Sequence, residues 1–402
     1  MNIKTLDDVE TKGKTVLLRV DFNSPVDPVT KEITDITRIK RHVETIKDLE
    51  DSKLVILAHQ GRPGDLDFIT LEQHAKILSG IVPQEVQYIP DIFGPSAKDK
   101  IKDLKEGEVL LLENTRFFAE EILNRPAEVQ KDTALVKNLA PLADLYVNDA
   151  FAAAHRSQPS IVGFPMVLPS VAGRLMQKEL EVLGAVMKGD EKPEIFVIGG
   201  AKFKDAVELI KYVLENDIAD QVLLTGIVGN LFLLGRGVDL GESKNLIEQS
   251  APSGLMDEVR RLIQDHGRRI ETPVDVAVNV DGERVEHTLN RLPDDHQILD
   301  IGEGTIAIVC REIRNAGTVV ANGPPGKFED SKFEYGTKKI LQAIAETSGR
   351  SVIGGGHIVA EAVKYGLDDK IDYISTGGGA MIQLLSGKEL PAIRALEFRG
   401  KV

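Results

Sequence analysis

One cysteine, Cys310, stands in a chain of 402 residues that has no tryptophan and only 5% aromatic residues. A single thiol excludes an intrachain disulfide and offers no metal-ligand spacing. It lies in "TIAIVCREIRNA", whose apolar spacing reads as a helix, so the thiol is expected in a core. The missing tryptophan leaves tyrosine as the source of any intrinsic fluorescence. No uncharged apolar run approaches the roughly 20 residues of a membrane-spanning helix. The opening "MNIKTLDDVETKGK" is charged and lacks an apolar stretch of the secretory kind, so a cytoplasmic protein is expected. Positive charge is short as well: 49 Lys and Arg against 63 Asp and Glu give a formal net charge of −14. Nucleic acid needs a broad positive surface, so it is not an expected partner, and neither is a membrane. A small anion remains open, because arginines gathered in a cleft focus positive potential against an acidic background.

What is present is an ordinary globular composition, 42% hydrophobic and 28% charged, in a chain long enough for two domains of roughly 200 residues. Short β-branched runs recur, each closing on a glycine or polar loop before a helical pattern. They are 15–20, 53–58, 108–113 and 144–149 in the first half. In the second half they are 194–199, 221–226, 273–278, 318–323, 350–355 and 372–377. Near-continuous apolar strands alternating with helices indicate parallel sheets covered on both faces. No fixed-period repeat or low-complexity tract interrupts them. Between the halves, "PSVAGRLMQKELEVLGAVM" (169–187) carries a helical stripe of Val171, Leu175, Met176, Leu180, Leu183 and Met187. Helical throughout, it would span about 28 Å, the length of an interdomain connector or of a plain surface helix.

Ligands of open α/β sheets bind beyond the carboxyl ends of the strands. In the first half those ends read "RVDFNSP", "AHQGRP", "LLENTRF" and "NDAFAAAHR", bringing Asp21, Asn23, His59, Arg62, Arg116, His155 and Arg156 to one rim. Arginine forks grip carboxylates and phosphates with paired hydrogen bonds, so a small substrate with several negative groups is indicated. In the second half the ends read "GGAKFKD", "TGIVGN", "ANGPPGKFE", "IGGGH" and "STGGGA". Glycine loops let backbone N–H groups approach a nucleotide or a bare phosphate. Neither G-x-x-x-x-G-K-[ST] nor G-x-G-x-x-G is present; the nearest string, "GRGVDLG", has one residue too many between its last two glycines. From these residues alone three readings stand: an enzyme holding a polyanionic acid and a nucleotide, a dinucleotide-dependent oxidoreductase, and a two-lobed solute binder. A metal hydrolase built on His59 and His155 has little behind it, since no H-E-x-x-H or clustered Cys/His spacing occurs.

Taken in order and register, "RVDFNSP", "HQGRP", "LLENTRF", "NDAFAAAHR", "GGAKFKD", "ANGPPGKFE", "GGGH" and "STGGGA" resemble phosphoglycerate kinase, from residue 15 to about 391. The resemblance implies two Rossmann-like α/β domains with parallel sheets, joined by a helix and closing by a hinge. It implies an N-terminal domain of 1–170 for 3-phosphoglycerate, a connecting helix of 171–187 and a nucleotide domain of 188–385, with the tail 386–402 returning to the first domain. The implied reaction is reversible phosphoryl transfer between 1,3-bisphosphoglycerate with ADP and 3-phosphoglycerate with ATP, Mg²⁺ arriving with the nucleotide, in a monomer or homodimer.

Residue by residue, the acid site implied by the resemblance comprises Asp21, Phe22, Asn23, Arg38, His59, Gln60, Gly61, Arg62, Arg116 and Arg156, with Arg19 at its edge. The implied nucleotide contacts are Lys202, Gly226, Asn322, Pro324, Glu329, Gly354, Gly355, Gly356 and His357. The implied catalytic groups are Arg38, Lys202, Gly355 and Gly378, the last within a glycine turn, 377–379, that opens a helix. No protein metal ligand is implied. The acceptor carboxylate is already ionised at neutral pH, so no general base is needed, and no H-R-D-x-x-x-x-N string occurs. Three positions depart from the family pattern. Ala206 stands where a second lysine is common, with Lys204 two residues earlier. His357 and Ile358 replace the Asp-Thr of the common "GGGDT", a form similar to the archaeal branch. Gln158 replaces a frequent histidine.

Overall fold

The β-branched runs form the strands they predict, and their residue-by-residue alternation sends side chains to two covered faces. The computed structural model describes residues 3–292 and 295–398. It divides into two compact units, residues 1–181 with 389–402, and residues 182–388. The final residues of the tail, 399–402, lie outside the described ones.

The first unit holds β1 (Thr15–Arg19), β2 (Lys53–Leu57), β3 (Val86–Tyr88), β4 (Val109–Leu111), β5 (Leu145–Asn148) and β6 (Ser170–Ala172). They make a six-stranded sheet in the order β3-β4-β2-β1-β5-β6, with every pairing parallel. Val16, Leu18, Leu54 and Ile56 face one apolar cluster; Leu17, Val55, Leu57 and Tyr146 face the other. Each such aliphatic side chain contributes roughly 1.5–3 kcal/mol by leaving water. The strand order reverses between β1 and β5, so a crevice forms where their following loops part.

The second unit adds β7 (Glu194–Ile198), β8 (Gln221–Leu224), β9 (Ile270–Glu271), β10 (Asp275–Val280), β11 (Glu283–Thr288) and β12 (Ile298–Ile301). It continues with β13 (Thr318–Asn322), β14 (Arg350–Gly354) and β15 (Tyr373–Ser375). Its main sheet runs β15-β14-β13-β7-β8-β9, all parallel. One expectation is corrected here. The run 273–278 belongs not to this sheet but to a separate three-stranded one, β11-β10-β12, which is antiparallel. Its apolar residues, Val276, Ala277 and Val278, are as buried as those of a parallel strand, which is why periodicity does not separate the two cases. Cys310 sits in helix Glu303–Asn315, buried as expected.

The linking segment is also corrected. Helix Arg174–Lys188 begins after Gly173, and the preceding Ser170–Ala172 pairs with β5 as an edge strand. Asp149, at the end of β5, caps this helix by accepting from the Leu175 and Met176 N–H groups at 2.9 and 3.3 Å. An anionic cap at a helix N-terminus contributes about 1 kcal/mol. A Cβ at Gly173 would lie 2.3 Å from Asp149 Oδ1, so only glycine fits beside the cap.

Candidate active site

In the first unit the arginines gather around one buried carboxylate. Asp21 follows β1, and its Oδ2 accepts from Arg38 Nη1 at 2.7 Å, while Oδ1 accepts from the Asn23 N–H at 3.1 Å. Burial alone would raise the Asp21 pKa. The Arg38 charge, with the Asn23 N–H and Arg19, outweighs burial and holds it well below the usual carboxylate range. Arg38 rides on the short helix Thr37–Lys40.

His59 is buried after β2. Arg19 Nη2 lies 3.0 Å from its Nδ1, and burial together with Arg19, Arg116 and Arg156 pushes its pKa far down despite Asp21. The ring is therefore neutral; with Nδ1 accepting from Arg19, its proton is on Nε2, 3.9 Å from Asp21 Oδ1. Arg116 is buried and donates to the Gly61 carbonyl. Burial first, then repulsion from Arg156 and Arg19, brings its pKa down to about 10. Arg156 is lowered in the same way, by burial and by Arg62, Arg19 and Arg38, against the pull of Asp21. These guanidiniums feel one another strongly enough to oppose their own charging. Such a cluster favours a multiply anionic ligand that restores balance.

Not every residue named for this site faces a ligand. The Phe22 ring is buried between His42 and His74, 5.8 and 6.2 Å from their centroids, so only its backbone is available. Gln60 is buried too. Its Oε1 accepts from the Ser24 N–H at 2.8 Å and its amide donates to Ser24 and Asp67 carbonyls, pinning loops together. Gly61 has φ +66°, and a Cβ there would lie 2.5 Å from the Asp67 backbone. Its N–H donates to Asn23 Oδ1 at 2.8 Å. Arg62 is exposed, and Gln158 is buried. Arg19 is fully buried, donating to Ser160 Oγ at 2.7 Å with Glu121 3.9 Å away. It supports the rim from beneath.

In the second unit the strand order reverses between β7 and β13, and there two glycine loops cross. A Cβ at Gly199 would lie 2.7 Å from the Pro324 carbonyl; one at Gly323 would lie 2.4 Å from the Gly199 carbonyl. Gly226, with φ +56°, meets the same Pro324 carbonyl. Beside them opens a cavity of about 630 Å³ lined by Gly226, Pro324, Phe328, Glu329 and His357 among others. The Phe328 and His357 rings meet at 5.1 Å. Lys202 is exposed at the start of helix Phe203–Glu215. In that helix Ala206 is turned inward and buried while Lys204 is exposed. Gly355, with φ +103°, precedes helix Gly356–Lys364, and Gly378, with φ +37°, precedes helix Gly379–Leu385. Gly354 packs on Met381, where a Cβ would lie 2.1 Å from the sulfur. The Asn322 side chain is spent on the Gly354 carbonyl, at 2.6 Å.

Periodicity missed part of this cavity: Ile298, Leu299 and Asp300 come from the antiparallel sheet, and Asn230 and Ser243 from helical segments. No group of three or more His, Cys, Asp or Glu side chains among the described residues is placed to hold a metal. No helix among them is long and apolar enough to cross a membrane.

The fold and the two sets of strand-end loops define a two-domain α/β protein of parallel sheets, with an arginine cluster on one unit and glycine loops on the other. Residues 6–388 match the phosphoglycerate kinase family model. Phosphoglycerate kinase of Methanothermobacter thermautotrophicus is 51% identical over 98% of this chain and 96% of that one. That of Methanopyrus kandleri is 50% identical over 98% and 97%. The crystal structure of phosphoglycerate kinase from Pyrococcus horikoshii OT3 superposes with a TM-score of 0.91 at 43% identity, covering 98% of each chain. The structure of phosphoglycerate kinase from Coxiella burnetii gives 0.84 at 31% identity, covering 99% of this chain and 100% of that one. The chain belongs to the phosphoglycerate kinase family.

Proposed function

We propose that this enzyme moves a phosphoryl group between 1,3-bisphosphoglycerate with ADP and 3-phosphoglycerate with ATP, the first unit holding the acid and the second the nucleotide. The observation that carries the assignment of the acid is the arginine cluster around Asp21. Arg38, Arg62, Arg116 and Arg156, with the neutral His59 and Asn23, offer donors to a phosphate at one end and a carboxylate at the other. The cavity at Pro324, Phe328 and Glu329 suits a nucleoside, and the glycine turns at 354–356 and 377–379 suit its phosphates through backbone N–H groups.

Mg²⁺ enters as part of the nucleotide substrate, held by phosphate oxygens and water, which is its usual preference. His357, at the position of the common aspartate, offers no hard oxygen to it. Catalysis consists of alignment, exclusion of water and neutralisation of charge in an in-line transfer. The acceptor carboxylate needs no base; Arg38 and Lys202 supply cationic charge to the transferring group. Because an acid oxygen must meet the terminal phosphorus, turnover requires closure about helix Arg174–Lys188.

The test is ATP consumption with Mg²⁺ and 3-phosphoglycerate, the product trapped by a coupled dehydrogenase, with GTP in parallel. Turnover that needs all three components supports the reading. A folded protein that binds 3-phosphoglycerate without turnover would leave a two-lobed binder in its place.

A further inference from the structure

Beneath the acid site a buried chain of hydrogen bonds joins the Asp21 loop to helix Arg174–Lys188. The Asp21 N–H donates to His42 Nε2 at 3.0 Å, which leaves the ring proton on Nδ1. Nδ1–H donates in turn to Asp149 Oδ2 at 2.7 Å. The other oxygen of Asp149 takes the Leu175 and Met176 N–H groups. Thr45 Oγ1 donates to Asp149 Oδ2 at 2.9 Å and accepts the Arg174 N–H at 2.9 Å. The first three N–H groups of the helix, which have no partner within it, thus all end on Asp149 and Thr45. His42 is 1% exposed, and Thr45 and Asp149 are 0%, so water cannot stand in for a broken member.

We propose that His42 is a positioning residue that couples filling of the acid site to the first turn of helix Arg174–Lys188. The proposal rests on Asp21, Asn23 and Arg38 belonging to that site. A ligand engaging Arg38 and Asn23 bears on both partners of the Asp21 carboxylate, and the loop's backbone is moored to the imidazole. The ring is wedged edge-on against Phe22 and bonded at both nitrogens, so a shift of the loop reaches Asp149 directly. This is one contiguous set of contacts with a donor and an acceptor at each step. It gives the linking helix a stiffer start when the acid is bound.

The experiment uses the full chain, with amide hydrogen exchange at Leu175 and Met176 measured with and without saturating 3-phosphoglycerate. His42→Asn keeps a donor where Nδ1 lies but loses the Asp21 bond; His42→Gln carries a carbonyl to where Nε2 lies but gives up Asp149. Both are milder than His42→Ala, which would leave a hole and two unsatisfied groups. In the native protein 3-phosphoglycerate should slow exchange at both amides at least threefold. In each variant binding should persist with KM within about threefold of native, the slowing should vanish, and kcat should fall roughly tenfold. A side chain that only fills the core would lower the melting temperature yet leave the ligand-dependent slowing intact, and that result overturns the proposal. Absence of slowing in a native protein shown by titration to bind 3-phosphoglycerate also overturns it. Absence of binding to the native protein removes the acid-site reading itself, and the coupling with it.

Discussion

Arg38 Nη1 lies 2.7 Å from Asp21 Oδ2, while its side chain keeps 39% of its surface open. The carboxylate holds the guanidinium in place without covering it, as the proposed catalytic role requires. Preorganised charge of this kind acts in the transition state because it need not be reoriented there. Arg38→Ala should lower kcat on the order of 10³-fold with a much smaller change in KM for 3-phosphoglycerate. Steady-state kinetics decide it, and a near-normal kcat would take Arg38 out of the catalytic role.

Lys202 stands exposed at a helix start, and in the proposed reaction its ammonium follows the phosphoryl group. Lys202→Ala should likewise cost turnover more than nucleotide binding, on the order of 10²-fold or more in kcat. Lys202→Arg should recover little, because a planar fork does not replace a compact, mobile charge.

The proposed function puts the two ligands on different units, and on that reading transfer requires closure. Small-angle scattering should show a smaller radius of gyration with 3-phosphoglycerate and a non-hydrolysable nucleotide together than with either alone. An unchanged radius with both bound would count against a hinge.

Gly173→Ala should destabilise the protein by about 1–3 kcal/mol, since its new Cβ would press on Asp149 Oδ1 and disturb a buried cap. A fall in melting temperature with far-UV dichroism otherwise native would be the signature.

Burial pushes the Asp300 carboxyl up to about 7, against the Gly336 and Ile301 N–H groups and Arg284, which lower it. Burial likewise pushes Glu194 up to about 8, with Lys192 opposing. Groups raised in the folded state bind more protons folded than unfolded. Their contribution is complete below about pH 4 and is lost as pH climbs through 7 to 8. Asp21, held low, works in the opposite sense and only under stronger acid. Denaturant midpoints should therefore drop between pH 5 and pH 8.5, and Asp300→Asn with Glu194→Gln should shrink that drop. An undiminished drop in the double variant would assign it to other groups.

The strands that periodicity reveals are those with long β-branched runs. Val86–Tyr88 and Ile270–Glu271 are too short to show a period, and Glu283–Thr288, with no fully buried residue, has no apolar run to notice. The 273–278 run shows the opposite failure, since an apolar strand does not declare the direction of its neighbours. Arg62, Arg116 and Arg156 are legible because they follow strands. Arg38 is not, because it sits on a four-residue helix and takes its meaning from a partner 17 positions away. His42 gives no local signal either; its significance lies in two partners, one of them 107 residues distant. Contacts across such separations are set by packing, which a single sequence does not display.

The crossing of Gly199 and Gly323 divides the molecule's room for hereditary change. One seat is made of main chain pressed against main chain, and every amino acid with a Cβ is barred from its two central positions. Drift there is stopped by volume alone, whatever the chemistry of the newcomer. The other seat, on the proposed reading, is made of guanidinium groups carried on separate loops, and drift there is stopped only by loss of charge or reach. Saturation libraries of the two seats should therefore look unlike: uniform intolerance at 199 and 323, and graded intolerance, mildest for lysine, at 62 and 156.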